Sequence, residues 1–395
     1  MMQLIQAALR ASAHATVRYG SRFFRRLKPV LPPFGFARSR AGQRIVPIAA
    51  AMLLVACASE KGAAPALEQK PLTHEPVVSL TAPPAESVEL ETLRTVASQQ
   101  ERLDRVSAPL LLSNPELCKS YARNLLGFIP KTRYSYSAEY VKAAQALFGL
   151  GERLQVVGVL AGSGAARAGL RKGDILLSAE DRQLPTGPNA ETAVGEILGP
   201  LTASRASVRL TISRDNVQQE LVVPLTRACP FRVDLGNADN VNTYADGQRI
   251  LVTRGILDFT RSDNEIAYLI AREMAHNALS HAAKQRSNSV VATQINNLRR
   301  IHPDTGMLIG MAGIKPTPSE LDVAADSLAM YMLARAGFSL DQAIPFWQRL
   351  ASQYPATVLN GHTALHPATA ARVTAMEKAI KEVKAKQAAK KPLLP

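Results

Sequence analysis

Ser262-Asp-Asn-Glu-Ile-Ala-Tyr-Leu-Ile-Ala-Arg-Glu-Met-Ala-His-Asn-Ala-Leu279 is the stretch on which the reading of the fold turns. Ser262 and Glu265 stand at the spacing of a capping box, which satisfies the free amides at the start of a helix. Ile266, Leu269, Ile270, Met274 and Leu279 then recur at helical spacing and mark an apolar face. The expectation is a long, inward-facing helix from Ser262 to about Gln285. Within it lies Arg272-Glu273-Met274-Ala275-His276, and residues four apart on a helix project from one side.

That spacing carries a known chemistry. His-Glu-x-x-His on a helix sets two imidazoles on one zinc ion, and the Glu beside the first serves as base for the bound water. Here Glu273 and His276 hold their places, and Arg272 stands where the first His belongs. Glu-x-x-His alone is a common chance pattern, so the weight falls on its surroundings. Upstream, Asn242-Thr-Tyr-Ala-Asp-Gly-Gln-Arg-Ile-Leu-Val-Thr253 sets Asp246-Gly247 between two strand-like runs, a hairpin signal. Downstream, a second helix is expected from about Ser319 to Ala336, stopped by Gly337, with Asp322 and Asp326 near its start. His366-Pro367 then precedes Arg372.

In this order the elements resemble the HtpX/BepA-like zinc metallopeptidases, gluzincins related to the CAAX prenyl endopeptidases. The likeness spans roughly residues 105–375 and runs closest to periplasmic lipoprotein members with an inserted PDZ domain. It implies Glu273 as general base and His276 as zinc ligand. Asp322 stands at the position of the family's Glu ligand, Asp326 matches a carboxylate behind it, and His366 matches a loop His that reaches the metal. His281 lies about 140° round a continuous helix from His276 and reads as a packing residue.

Two departures shape the expected chemistry. A guanidinium has no lone pair to give and keeps its charge. Asp322 is one methylene shorter than Glu, whereas catalytic zinc sites keep three well-placed protein ligands. The expectation is a peptidase fold with lost or weak catalysis and weak or absent zinc, in which Arg272 binds Asp322 in the metal's place. The alternative is a working zinc endopeptidase using His276, Asp322 and His366 with Glu273 as base.

Working outward, residues 152–226 change texture to alternating runs such as Ser207-Val-Arg-Leu-Thr-Ile-Ser213, separated by Gly-rich turns. Gly162-Ser-Gly-Ala-Ala-Arg-Ala-Gly-Leu-Arg-Lys-Gly-Asp-Ile175 resembles the PDZ segment in which a short helix follows a Gly-Ser turn. Such domains bind protein C-termini by strand addition, and Phe148-Gly149-Leu150-Gly151 is taken as the carboxylate loop. The old active-site groove, edged by Arg249–Thr253, would hold extended or unfolded polypeptide. Cys118 and Cys229 flank the module with no metal-type clustering, and read as one disulfide in an oxidising compartment.

The N-terminus reads as an address. Residues 1–56 carry nine Arg/Lys and no Asp/Glu, and end in the apolar run Ile45–Ala56 before Cys57. Twelve apolar residues are too few to span a bilayer and fit a signal-peptide core. Leu54-Val55-Ala56-Cys57 resembles a lipobox, which implies a lipid on Cys57 and a periplasmic protein at the outer membrane. The chain of 395 residues has a formal charge of +15, yet residues 57–395 hold 38 basic against 32 acidic groups. The folded middle is near neutral, which argues against nucleic acid as a partner. The expected fold class is α+β. Residues 1–56 form a signal peptide, 57–86 a Pro-rich tether, 87–151 and 227–375 a mainly helical metallopeptidase-like domain with a small hairpin sheet. Residues 152–226 form the mostly-β PDZ insertion, and 376–395 a solvated basic tail.

Overall fold

A computed structural model of the chain describes residues 85–304, 306, 316–355, 365–367 and 369–395. Cys57, the leader and nearly all of the tether lie outside the described residues, which belong to the unit spanning 78–395. Among the described residues no helix is long and apolar enough to cross a membrane.

Helix α1 (Ala85–Ser113) enters the helical core through Leu103, Val106 and Leu110. The chain then does not stay helical, although 87–151 was expected to belong to a mainly helical domain. It forms β1 (Arg123–Leu125), β2 (Phe128–Lys131) and α2 (Val141–Phe148). Strands this short, one of them containing Pro130, complete no alternation that periodicity could detect. β2 opens a twisted antiparallel sheet of order β2-β3-β4-β6-β7, so the β-module starts before residue 152. The other strands are β3 (Gln155–Val159), β4 (Ile175–Ala179), β6 (Ser207–Arg214) and β7 (Val217–Pro224), with β5 (Arg182–Gln183) on β4. Leu154, Val156, Leu176, Val208, Leu210 and Ile212 fill its core, covered by α3 (Gly164–Arg167) and α4 (Ala190–Ser204). Ser163 caps α3. A Cβ on Gly164 would meet the Pro224 carbonyl at 1.5 Å, so that close approach requires glycine.

At the neck of the module, β1 pairs with β8 (Thr226–Ala228), and a disulfide joins Cys118 to Cys229 with Cα atoms 5.7 Å apart. The chain then builds a three-stranded sheet, β10 (Thr243–Ala245)-β11 (Arg249–Thr253)-β9 (Arg232–Gly236). Asp246-Gly247 turns β10 into β11, with Gly247 at φ +99° and the Asp246 carboxylate accepting the Gln248 and Arg249 amides. β11 is therefore the central strand, which corrects the expectation that Arg249–Thr253 edges the groove. β9 is closed by a side chain: Gln100 donates to the Val233 carbonyl and accepts from the Leu235 amide, imitating one residue of a strand. Among the described strands, β10 lies at the other edge of this sheet.

Helices α5 (Arg254–Phe259), α6 (Asp263–Ala278), α7 (His281–Lys284) and α8 (Asn288–Leu298) follow, then α9 (Ser319–Arg335), α10 (Ala343–Gln353) and α11 (Ala370–Ala388). α6 is buried from Glu265 to Ala278 because the sheet, α1 and α9 surround it. α11 packs along α9 with Met376, Ala379 and Val383 inward. Residues 376–388 are thus a packed helix and not a loose tail. Their lysines sit on the outer face, and the apolar positions at helical spacing had been masked by Lys/Ala composition.

Candidate active site

α6 enters the core under firm control. Ser262 Oγ accepts the Glu265 amide at 3.3 Å, while the Glu265 carboxylate accepts the Arg261 amide and both Arg349 guanidinium NH2 groups. The helix stops at Ala278, Ser280 adopts φ +57°, and a separate turn begins at His281. That break corrects the placement of His281, which had assumed a continuous helix. Its ring swings back until its Nδ1 lies 2.9 Å from Nδ1 of His276. No Gly or Pro between Ala278 and His281 announces the break.

Arg272 is fully buried, at 0% exposure, and its three donors reach three carboxylates. Nη2 donates to Asp322 Oδ1 at 2.6 Å, Nη1 to Glu273 Oε1 at 2.9 Å and Nε to Asp326 Oδ1 at 3.2 Å. Asp322 and Asp326 stand one turn apart on α9, whose start and Gly337 stop fall where the sequence put them. The short Asp322 side chain is met by the long reach of the guanidinium. Asp326 is held from behind by Arg372 of α11, with Nε at 2.6 Å from Oδ2 and Nη2 at 3.1 Å from Oδ1, and by the Tyr268 hydroxyl. Arg372 also stacks on Trp347, its guanidinium carbon 3.8 Å from the ring centre. Its remaining NH2 donates to the His366 carbonyl at 3.1 Å, fixing the loop that presents that residue. Nothing in the sequence marked Arg372, Trp347 or Tyr268 as parts of the site, because each acts through a contact between distant segments.

His366 Nδ1 lies 2.8 Å from Asp322 Oδ1, and His276 Nε2 lies 3.4 Å from the same oxygen. Ligand atoms of His276, Asp322 and His366 all fall within 4.8 Å of one another, close enough to share an ion. Arg272 brings a fixed positive charge onto the same carboxylate. Asp322 Oδ2 makes no hydrogen bond among the described residues, but Arg372 Nη1 lies 4.0 Å from it.

The charges are strongly coupled. Burial would raise the Asp322 carboxyl, but His366 and Arg272 hold it well below the usual range. Burial and Arg272 push His366 itself down to about 4, while Arg272 Nη2 and Arg372 Nη1 both stand within 4.0 Å of Asp322. Glu273 follows the same pattern: burial opposes its charge and Arg272 overrides that, leaving the carboxyl below its ordinary value. Burial and neighbouring His276 lower His281 to about 3.

Above this cluster opens a cleft bordered by Thr243 and Ala245 of β10, Glu273, His276, His281 and His366. Thr243 Oγ1 donates to Glu273 Oε1 at 2.9 Å, tying the strand to the helix. Asn277 on α6 clamps the hairpin, accepting the Gly247 amide at 2.7 Å and donating to the Arg249 carbonyl at 3.1 Å. β10 uses Asn242 and Asp246 to pair with Thr253 and Arg249. By antiparallel alternation, Thr243 and Ala245 do not pair with β11 through their main chain, and the Thr243 amide donates to Asn242 Oδ1 at 2.8 Å.

Phe148–Gly151 does not lie at a free sheet edge. It closes α2 within the β2–β3 connection, where Gly151 O accepts the Arg133 amide and Leu150 is buried against Leu93 and Tyr140. The edges of that sheet are β2 and β7, and β2 is entered through Leu126 and Gly127, whose carbonyls accept from Ala165 and Leu160. The Gly-Leu-Gly string misled because glycine here serves the helix end, with Gly149 at φ +70°.

Residues 206–380 match the family model for Peptidase family M48. The chain carries an M48 metallopeptidase-family domain. That family is zinc-dependent, and the match takes in α6, β10, α9 and the His366 loop. Among curated proteins, the chain is similar to the mitochondrial metalloendopeptidase OMA1 of Saccharomyces cerevisiae, at 23% identity over 141 residues. The likeness takes in 33% of this chain and spans 41% of the length of that relative. Among solved structures, an HtrA-type protease AlgW with a decapeptide matches at 23% identity, covering 27% of this chain and 30% of that one, TM-score 0.21. The HtrA3 PDZ domain bound to a phage-derived ligand matches at 17% identity, covering 27% and 88%, also at TM-score 0.21. Likenesses this weak assign no fold.

Proposed function

We propose that this chain is an HtpX/BepA-like periplasmic lipoprotein, anchored through Cys57 at the outer membrane, whose M48 domain binds extended polypeptide with hydrolysis lost or weak. One observation carries the reading: the Arg272 guanidinium on Asp322 and Glu273. A zinc ion, where bound in such a site, polarises a substrate carbonyl and lowers the pKa of a water. Arg272 works against that in two ways. Its charge repels a cation from Asp322, and its hydrogen bond to Glu273 Oε1 weakens the base that would take the proton. The donor set therefore does not fit a catalytic zinc. What the residues do instead is hold α6, α9 and α11 together and keep the cleft open beside β10.

The position of β10 at the edge of the described sheet supports strand addition of a client chain, and the β2 edge of the PDZ-like module supports capture of a chain end. Envelope protein quality control or assembly is the setting that joins both edges to a lipid anchor. The convergence of His276, Asp322 and His366 within 4.8 Å supports a second reading, a zinc endopeptidase with a reduced ligand set. Incubating the purified full chain with unfolded casein separates the two. The first reading expects binding without cleavage; chelator-sensitive cleavage that Glu273→Gln abolishes would establish the second. Mass spectrometry of the mature protein tests the anchor, since a species retaining residues before Cys57 would contradict it.

A further inference from the structure

Ser280 sits at the joint between α6 and α7 with φ +57°, a left-handed conformation that helix ends ordinarily give to glycine and that a side chain makes costly. Such strain persists where the surroundings hold it, and the Ser280 side chain makes no cap within its own turn. The holding contact comes from far away in sequence. Tyr121 Oη and Ser280 Oγ lie 2.8 Å apart, in a hydrogen bond to which either hydroxyl can donate. Tyr121 is itself placed by the neck of the β-module. Its amide donates to the Cys118 carbonyl at 3.0 Å, its ring centre lies 5.7 Å from that of Phe231, and β1 begins at Arg123. What the joint controls is a wall of the cleft. With Ser280 in this conformation, His281 Nδ1 comes to 2.9 Å from His276 Nδ1, the two rings edge to face with centres 4.9 Å apart. Both histidines border the cleft. Had α6 run on as a helix, His281 would point about 140° away and that wall would be lost.

We propose that Tyr121 is a positioning residue, through which the neck of the β-module fixes Ser280 and, with it, the His276–His281 pair on the cleft wall. This deepens the reading of the cleft as a peptide groove and rests on it. Ionisation plays no part: the device is a backbone joint held by one hydroxyl. The same residue connects the two edges to which peptide binding is assigned. β1 leads from Tyr121 into Leu126 and Gly127 at the entry of β2, so a displacement of that entry is felt at Ser280.

The test uses the purified full chain with Tyr121→Phe, Ser280→Gly and the two together. Hydrogen exchange is followed at the Lys284 and Gln285 amides, which donate to the Ser280 and His281 carbonyls, with the buried amides of α6 as control. Tyr121→Phe is expected to speed exchange at these two amides about three- to tenfold, the scale of one hydrogen bond, and to leave α6 unchanged. Casein binding should weaken by a similar factor. The double variant should return both readouts to within about twofold of the parent, because glycine takes the left-handed conformation without being held. A packing role for Tyr121 against Phe231 gives no such rescue. Unchanged exchange in Tyr121→Phe, or faster exchange that Ser280→Gly does not restore, overturns the proposal. Faster exchange with casein binding unchanged overturns the link to the cleft. If the parent binds no casein, the groove reading falls by itself, and the exchange result still decides the role of Tyr121.

Discussion

Two arginine–carboxylate clusters, one partly exposed in the β-module and one fully buried in the helical half, solve different problems. In the β-module Arg214 meets Asp174 as a matched pair, with Nε 2.6 Å from Oδ1 and Nη2 2.7 Å from Oδ2. The Arg171 amide donates to Asp174 and Gly169 O accepts from Arg214, so the charges cancel and the carboxylate oxygens are used. In the helical half, Arg272 and Arg372 face three carboxylates, Glu273, Asp322 and Asp326, with His276 and His366 also against Asp322. A cluster built only to hold helices together could be balanced as the first one is. The imbalance next to an open cleft marks the second as a site, and Arg272 as the group that keeps it folded.

The sharpest way to break the contrast is to remove the cation from each cluster. Arg272→Met leaves Glu273, Asp322 and Asp326 facing one another in the dry core, and should cost about 3–5 kcal/mol in urea unfolding. Arg214→Met strands the single buried carboxylate of Asp174, whose partner is partly exposed, and should cost less, about 2–3 kcal/mol. Equal losses would make the two clusters equivalent. Between these in size stands the neck of the insertion. Replacing Cys118 and Cys229 by Ser should cost about 2–4 kcal/mol, at the low end if the folded module already holds the neck shut through β1 and β8. Unfolding read by the single Trp347 against a probe in the β-module would show whether the halves then separate.

The smallest expected effect concerns pH. Asp104 of α1 is half-buried between the halves. Burial lifts its carboxyl to about 6, Gln100 opposes this, and Asp234 and Glu101 add to it. Its folded pKa lies above its unfolded value, so the stabilisation is present below about pH 4 and lost as pH rises through 6. Asp104→Asn should therefore be more stable than the parent at pH 7, with the gain shrinking toward pH 4. Asp322 and Glu273 run the other way: their pKa values are held low, so their contribution is present above the ordinary carboxylate range and fades in acid.

Much of the fold was written in local signals. Asp246-Gly247, the Ser262 cap, the Gly337 stop and the Gly-Ser turn before α3 each sit where backbone chemistry demands those residues. What stayed illegible depended on distance or on fine backbone breaks. The helix break at Ser280 reversed the direction of His281, and an edge of β9 was sealed by Gln100 from a helix over 130 residues earlier. Arg372 was visible only as a basic residue after His366-Pro367, although it holds Asp326 from behind. The carboxylate-loop placement failed because glycine marks many kinds of turn, and a string of them does not say which.

The account stands on Arg272 occupying the role of a metal ion. Zinc content of the purified, undialysed full chain measures this most directly, beside the double variant Arg272→His with Asp322→Glu. The unaltered protein should contain well under one zinc per chain, and the double variant should approach about one, since two imidazoles and a longer carboxylate then converge on one ion. One zinc per chain in the unaltered protein would contradict the account.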